Sequence, residues 1–248
     1  MQPVSTEGST TTEGAGRQVG RARGRRRASH SLDTVLAESI AILDEQGEPA
    51  LTFRALAARL GGGVASIYWY VASRDELLER VTEEVMGRVL AGTEALTHGS
   101  DPIANLRGLA LALFDECVRR PWFGQFMLRN AGLQPNSMMM FDRLGQQLMR
   151  LPLTPRQRFH TVSSIISYVV GVAVDLAQPP PREFLESGME PSEFLALYAE
   201  RWRALDPQRY PFAHEVAGEF ATHDDVEVFR SGLDLLLDGL RLQAAQGR

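Results

Sequence analysis

Apolar residues recur at helical spacing along most of the chain, and no stretch shows the strict alternation of a half-buried strand. The first stripe, Leu32, Val35, Leu36, Ile40 and Leu43, predicts a helix from a Ser31 cap to Gln46 that stops at Gly47. Thr52 can cap a short helix, Phe53 to Leu60, whose buried set is Leu56, Ala57 and Leu60. Gly61-Gly62-Gly63 then breaks it, because glycine reaches positive φ cheaply and is costly inside a helix. A second short helix, about Val64 to Val71, follows. At about 100° per residue, Ile67 and Val71 share one side with Tyr68 at its edge, while Ala65, Ser66, Trp69 and Tyr70 take the other. Ser73-Arg74-Asp75-Glu76 has the form of a capping box and opens a helix to about Leu96.

Downstream, proline punctuates a helical pattern. The expected helices are Pro102–Arg119, Trp122–Ala131, Asn136–Leu151, Pro155–Ala177, Ser192–Leu205, Pro211–Thr222 and Asp224–Ala245. Pro179-Pro180-Pro181 should open a loop of roughly ten residues. In the last helix, Val226, Phe229, Leu233, Leu236 and Leu240 step by three and four, a seam that a partner helix can occupy. Phe229, Leu233, Leu236 and Leu240 are therefore the candidate dimerisation residues. A second row, Val228, Leu235 and Leu242, lies off that seam, and Gly232 and Gly239 would allow close approach. The expected fold is all-α: an arm over residues 1–30, a three-helix unit over 31–78 and a larger helical unit over 79–248.

Charge changes the picture at one end. The net charge is −5, yet the first thirty residues carry six arginines against two glutamates. A basic arm on an acidic body confines polyanion contact to the amino-terminal side. Low apolar content marks residues 1–29 as disordered in isolation. All 26 basic residues are arginine, and we attach no mechanism to that. Cys117 is the only cysteine, so no intrachain disulfide can form. The chain shows no apolar signal core, and its most apolar run, Ile165 to Ala177, is too short to span a bilayer. A cytoplasmic protein with no membrane partner is expected.

Two short helices, a tight turn and an outward face of aromatics and hydroxyls form the layout of a helix-turn-helix that reads DNA. Residues 50–78 are similar to the DNA-binding domain of the TetR family of bacterial repressors. The matching pattern is Leu56-Ala57-x-x-Leu60-Gly61, then Ser66-Ile67-Tyr68-Trp69-Tyr70-Val71, then Arg74, an acidic residue and Leu77-Leu78. The last helix, at Gly232-Leu233-Asp234-Leu235-Leu236-Leu237-Asp238-Gly239-Leu240, resembles the end of the tetracycline-repressor C-terminal domain. In that family this helix joins a four-helix bundle between two protomers.

The resemblance implies that residues 64–71 enter the major groove of a double-stranded operator. Ser66 would bond a phosphate or a base acceptor, Tyr68 and Tyr70 would bond phosphates, and Trp69 would offer its ring to sugar or a thymine methyl and its indole N–H to the backbone. Arg54 matches a position that reads guanine, and Arg74 one that clamps phosphate. Val64 and Ala65 depart from the family pattern of a polar residue and a proline, so they suggest thymine-methyl contact at most. Arg23, Arg25, Arg26 and Arg27 of the arm could enter an adjacent minor groove.

The same resemblance implies a homodimer whose DNA binding answers to a small-molecule effector. The pocket should lie among the helices of 101–200, with Trp122, Phe126, Met138, Phe141, Ser164, Ser167 and Tyr168 as candidate lining. That set suits a bulky, largely apolar ligand. No cofactor or metal is implied: a family metal histidine falls at Ser167, and Asp175 alone does not make a site. An enzyme built on His160 and a carboxylate finds no supporting motif. The alternative function is a DNA-binding activator or nucleoid-type protein without a ligand switch.

Overall fold

The computed structural model describes residues 30–130 and 133–246. The arm with Arg23, Arg25, Arg26 and Arg27 lies outside the described residues. Their regular structure is all helical, without a strand among the described residues.

Helix α1 (Leu32–Gln46) starts where the Ser31 hydroxyl accepts the Thr34 N–H at 3.1 Å, and it stops at Gly47 with φ 76°. Its inward face buries Val35, Leu36, Ile40 and Leu43, with Ile42 beside them. Thr52 caps α2 (Phe53–Arg59) by accepting the Ala55 N–H at 3.1 Å. The turn beyond α2 explains the first glycine of the triplet. Gly61 has φ 66°; its N–H reaches the Ala58 carbonyl at 3.2 Å, and the Gly62 N–H reaches Ala57 at 2.9 Å. That paired bonding closes a helix through a left-handed residue, a conformation β-carbons oppose.

Helix α3 (Val64–Ile67) is shorter than the expected Val64–Val71. After Ile67 the chain tightens: the Tyr70 and Val71 N–H groups both return to the Ile67 carbonyl, at 2.9 and 3.2 Å. The tightened turn lets Ile67 and Val71 both be buried. At α4 (Arg74–Gly92), Ser73 caps the Glu76 N–H while the Glu76 carboxylate accepts the Ala72 N–H at 2.6 Å. That bond, with the Arg80 guanidinium, holds the Glu76 carboxyl below the ordinary carboxylate range. Helix α4 ends at Gly92 and the chain continues as a 3-10 turn, Glu94–Thr97. There Arg143 donates to the Leu90 carbonyl at 2.6 Å and satisfies the helix end.

The remainder is α5 (Pro102–Arg119), α6 (Pro121–Arg129), α7 (Pro135–Met149), α8 (Pro155–Leu176), α9 (Arg182–Ser187), α10 (Pro191–Arg203), α11 (Pro211–Thr222) and α12 (Asp225–Gln246). Helix α8 has a mean hydropathy of 1.5 over a bilayer-length window, yet it packs against α5, α6, α7 and α12. Cys117 lies buried on α5, and burial pushes its thiol up to about 12. Helix α9 falls inside the segment expected to be a loop. It buries none of its own residues and is held by α10: Phe184 meets Phe194 edge-on at 5.1 Å, and Glu183 takes bonds from Tyr198 and Arg201. Helices α10 and α11 close as a hairpin, with Trp202 stacked on Phe220 at 4.2 Å.

Helix α12 reverses the expected assignment of its two apolar rows. Phe229, Leu233 and Leu240 are buried in the protomer's own core, so of the four candidates only Leu236 reaches solvent. Phe229 is 0% exposed because it is sandwiched between Phe114 of α5, at 3.6 Å, and Tyr168 of α8, at 5.4 Å. The row on the outside is Val228, Leu235 and Leu242, with Leu235 at 73% and Leu242 at 65% exposure.

Candidate DNA-reading surface and effector cavity

The tip of the amino-terminal unit presents large apolar groups to solvent. Trp69 is 88% exposed and Tyr68 58%. Tyr68 is braced by Phe53 of α2, ring edge to face at 5.0 Å. Val64 and Ala65 open α3 and face outward, and Arg54 projects from α2 without an ion pair among the described residues. An 88% exposed indole is a costly surface to leave unpartnered.

Three of the polar candidates donate hydrogen bonds within the protein. The Ser66 hydroxyl donates to the Gly63 carbonyl at 2.6 Å, which helps close the first turn of α3. Tyr70 donates to the His30 carbonyl and so ties the entry of α1 to the turn after α3. Arg74 was expected to clamp phosphate. Its Nε donates to the Leu51 carbonyl at 2.9 Å and its Nη2 to the Glu48 carbonyl at 2.7 Å, pinning the α1–α2 connection to α4, while the side chain stays 38% exposed. Sequence pattern cannot foresee the Tyr70 and Arg74 bonds, whose partners lie 40 and 23 residues away, whereas the Ser66 bond is local.

A cavity of about 370 Å³ opens between α4, α6, α7 and α8. Phe126 and Met127 form its α6 wall, Met138 and Phe141 its α7 wall, and Ser163, Ile166 and Ser167 its α8 floor. Thr82 enters from α4, and Asn130 and Gln134 flank the mouth. None of these side chains is ionisable. Phe126, Met138, Phe141 and Ser167 thus come together, and three other candidates do not. Trp122 is buried against α1. Tyr168 stacks on Phe229 and donates to its carbonyl at 3.1 Å. Ser164 faces a different side of α8, in a groove with His160, Leu235 and Gly239. Phase on the helix separates them: Ser163 and Ser167 are one turn apart, while Ser164 and Tyr168 lie about 100° further round. Among the described residues no cluster of three His, Cys, Asp or Glu side chains stands ready for a metal ion.

One junction was missed by sequence reasoning. Asp44, in the last turn of α1, accepts the Trp122 indole N–H of α6 at 2.8 Å and the Nε–H of Arg120, the residue that caps α6, at 3.2 Å. Four residues further, Glu48 receives Arg129 from the end of α6 and Arg74 from α4. The helix that walls the cavity at Phe126 is therefore bolted to the reading head at both its ends. A faint signal existed: carboxylates at the carboxy-terminal end of a helix oppose its dipole and need partners.

The sequence profile described as "Bacterial regulatory proteins, tetR family" matches residues 35–81. That described as "Tetracyclin repressor-like, C-terminal domain" matches residues 98–244. Among curated relatives, the HTH-type transcriptional repressor DrrR1 of Streptomyces coeruleorubidus is 29% identical over 226 residues, covering 88% of this chain and 80% of that protein. The solved structure of SCO7222, a TetR from Streptomyces coelicolor, matches with a TM-score of 0.73 at 29% identity, over 87% of this chain and 99% of that one. ActR of Streptomyces coelicolor, solved in complex with actinorhodin, shares the fold with a TM-score of 0.72 at 22% identity, over 89% of this chain and all of that one.

Proposed function

Because the chain belongs to the TetR family of DNA-binding transcriptional regulators, which are not enzymes, we propose that it is a homodimeric repressor released from a palindromic operator by a small molecule. The observation that carries this reading is the exposed Trp69 at the tip of a helix-turn-helix, joined through α4 and α6 to an apolar cavity. Residues 31–78 serve as the reading head and 79–248 as the effector-binding and dimerisation body. DrrR1 is named a repressor, and ActR was crystallised with a bound small molecule; both lend support.

Two copies would meet through the outward face of α8 and α12, where Leu235, Leu236 and Gly239 border a groove with His160. The effector would be bulky and uncharged, since the cavity offers rings, thioethers, hydroxyls and amides but no counter-charge. It releases DNA by binding better to the conformation in which the heads do not fit the operator. The arginine arm adds phosphate contacts, so affinity should fall steeply with salt. All of this takes place in the cytoplasm.

The test is a gel shift on the DNA upstream of the protein's own gene, with wild type and Trp69→Ala side by side. We expect a discrete complex whose affinity drops at least about tenfold in the variant, comparable to the loss of one good groove contact of about 1–3 kcal/mol. A complex indifferent to Trp69→Ala would remove α3 as the reading element. Complexes spreading along any DNA, without a discrete footprint, would favour a nucleoid-type protein instead.

A further inference from the structure

Several hydrogen-bond donors of the reading head are already used within the protein. Among the groups that α3 and its flanks could offer to a base, the Ser66 hydrogen is given to Gly63, the Tyr70 hydrogen to His30, and Nε and Nη2 of Arg74 to the α1–α2 connection. Arg59, the other cation of α2, is held by Glu38 and Glu45. The outward surface of α3 and the turn after it is dominated by carbon: Val64 and Ala65 at its start, and the rings of Tyr68 and Trp69 at the tip, with the Tyr68 hydroxyl and the indole N–H as the polar groups among them. In the major groove only one base carries an apolar group, the C5 methyl of thymine.

We propose that this protein reads its operator half-site mainly through thymine methyl groups, seated against Val64, Ala65 and Trp69. Arg54 is the one charged base reader beside them. The proposal rests on the reading of α3 as the groove-entering helix. Methyl readout gives a specificity unlike that of a hydrogen-bonding recognition helix. It discriminates by shape and burial, and it makes no demand on the O4 acceptor that thymine shares with uracil. Burying one methyl contributes about a fourfold change in affinity, so a half-site needs several in register. Tyr68 is left with a free hydroxyl for a phosphate, its ring held in place by Phe53.

The experiment begins with duplexes selected from a random library by the full-length protein. In the best operator, each thymine is replaced in turn by deoxyuridine, which removes only the methyl, and affinity is measured by fluorescence anisotropy. At least two thymines per half-site should each weaken binding about fourfold when demethylated. Val64→Ala should abolish the penalty at one of these positions and leave the others unchanged. Val64 and Trp69 are exposed, so their variants are expected to fold, which circular dichroism checks. If every uracil-substituted operator binds like its parent while Trp69→Ala still loses the operator, methyl readout is wrong and α3 reads by another route. If Trp69→Ala and Val64→Ala both bind as wild type does, the placement of α3 in the groove itself fails.

Discussion

Gly232 shows how a single missing β-carbon sets the packing of the body. It sits where α12 crosses α8, and an added Cβ would overlap the Tyr168 hydroxyl and lie 2.7 Å from Cζ. The ring cannot retreat easily, because it is stacked on Phe229, which is itself stacked on Phe114. An alanine replacing a glycine inside a helix ordinarily gains up to about 1 kcal/mol. Here overpacking should win, and Gly232→Ala should lose about 1–2 kcal/mol in urea unfolding. A gain in stability would mean that the aromatic stack is looser than described. The pattern of the sequence had marked this glycine as a place of close approach. It left open what approaches, and the neighbour is Tyr168 of the same protomer. Gly239, by contrast, has open space where a Cβ would stand.

Among elements, the joint between α1 and α6 carries the most consequence. Helix α4 is the covalent route from head to body, and Asp44 with Glu48 supplies a second, non-covalent one. An exposed ion pair contributes about 0.2–1 kcal/mol, while a hydrogen bond from a buried indole to a carboxylate contributes about 1.5–3 kcal/mol. Asp44→Ala should therefore weaken head docking by about 1–2 kcal/mol. Hydrogen exchange should quicken in the last turn of α1 and in residues 48–51, with α10 and α11 unchanged. Were the partners absent, removing a carboxylate from a helix carboxy-terminus would be neutral or mildly stabilising, so the sign decides. Helix existence was largely legible without the structure. Ser31, Thr52 and Ser73 cap where their chemistry says they should, and Pro102 and Pro155 open their helices. Helix α9 was not, because its six residues bury nothing and depend on Phe194 and Arg201 of another element.

For the molecule as a whole, the two rows of α12 make opposite predictions. Phe229 belongs to the protomer core, and Phe229→Ala should lose about 3–5 kcal/mol of folding stability. Leu235 belongs to the open face, and Leu235→Glu should leave the protomer's folding intact. In light scattering after size exclusion it should convert dimer to monomer. A monomeric Phe229→Ala with unchanged melting, or a dimeric Leu235→Glu, would return the interface to the inner row. The all-helical architecture was readable from periodicity and the helix-turn-helix from its motif, while the cavity was expected only through the family resemblance. Four of the seven cavity candidates meet in one place, and the other three sit on different faces.

The division follows the range of the forces involved. Caps, glycine breaks and helical periodicity act within about four residues, so the chain's own order of side chains decides where most helices begin and end. Two apolar rows on one helix, set about 100° apart, are equivalent until a neighbouring helix covers one of them. Likewise, a tyrosine hydroxyl, an arginine fork or an indole N–H takes whichever acceptor the fold delivers. Those acceptors stand 40 residues away for Tyr70, 23 for Arg74 and 78 for Trp122. Only the packed structure could choose which face of α12 turns inward and which polar groups of the reading head remain free for DNA.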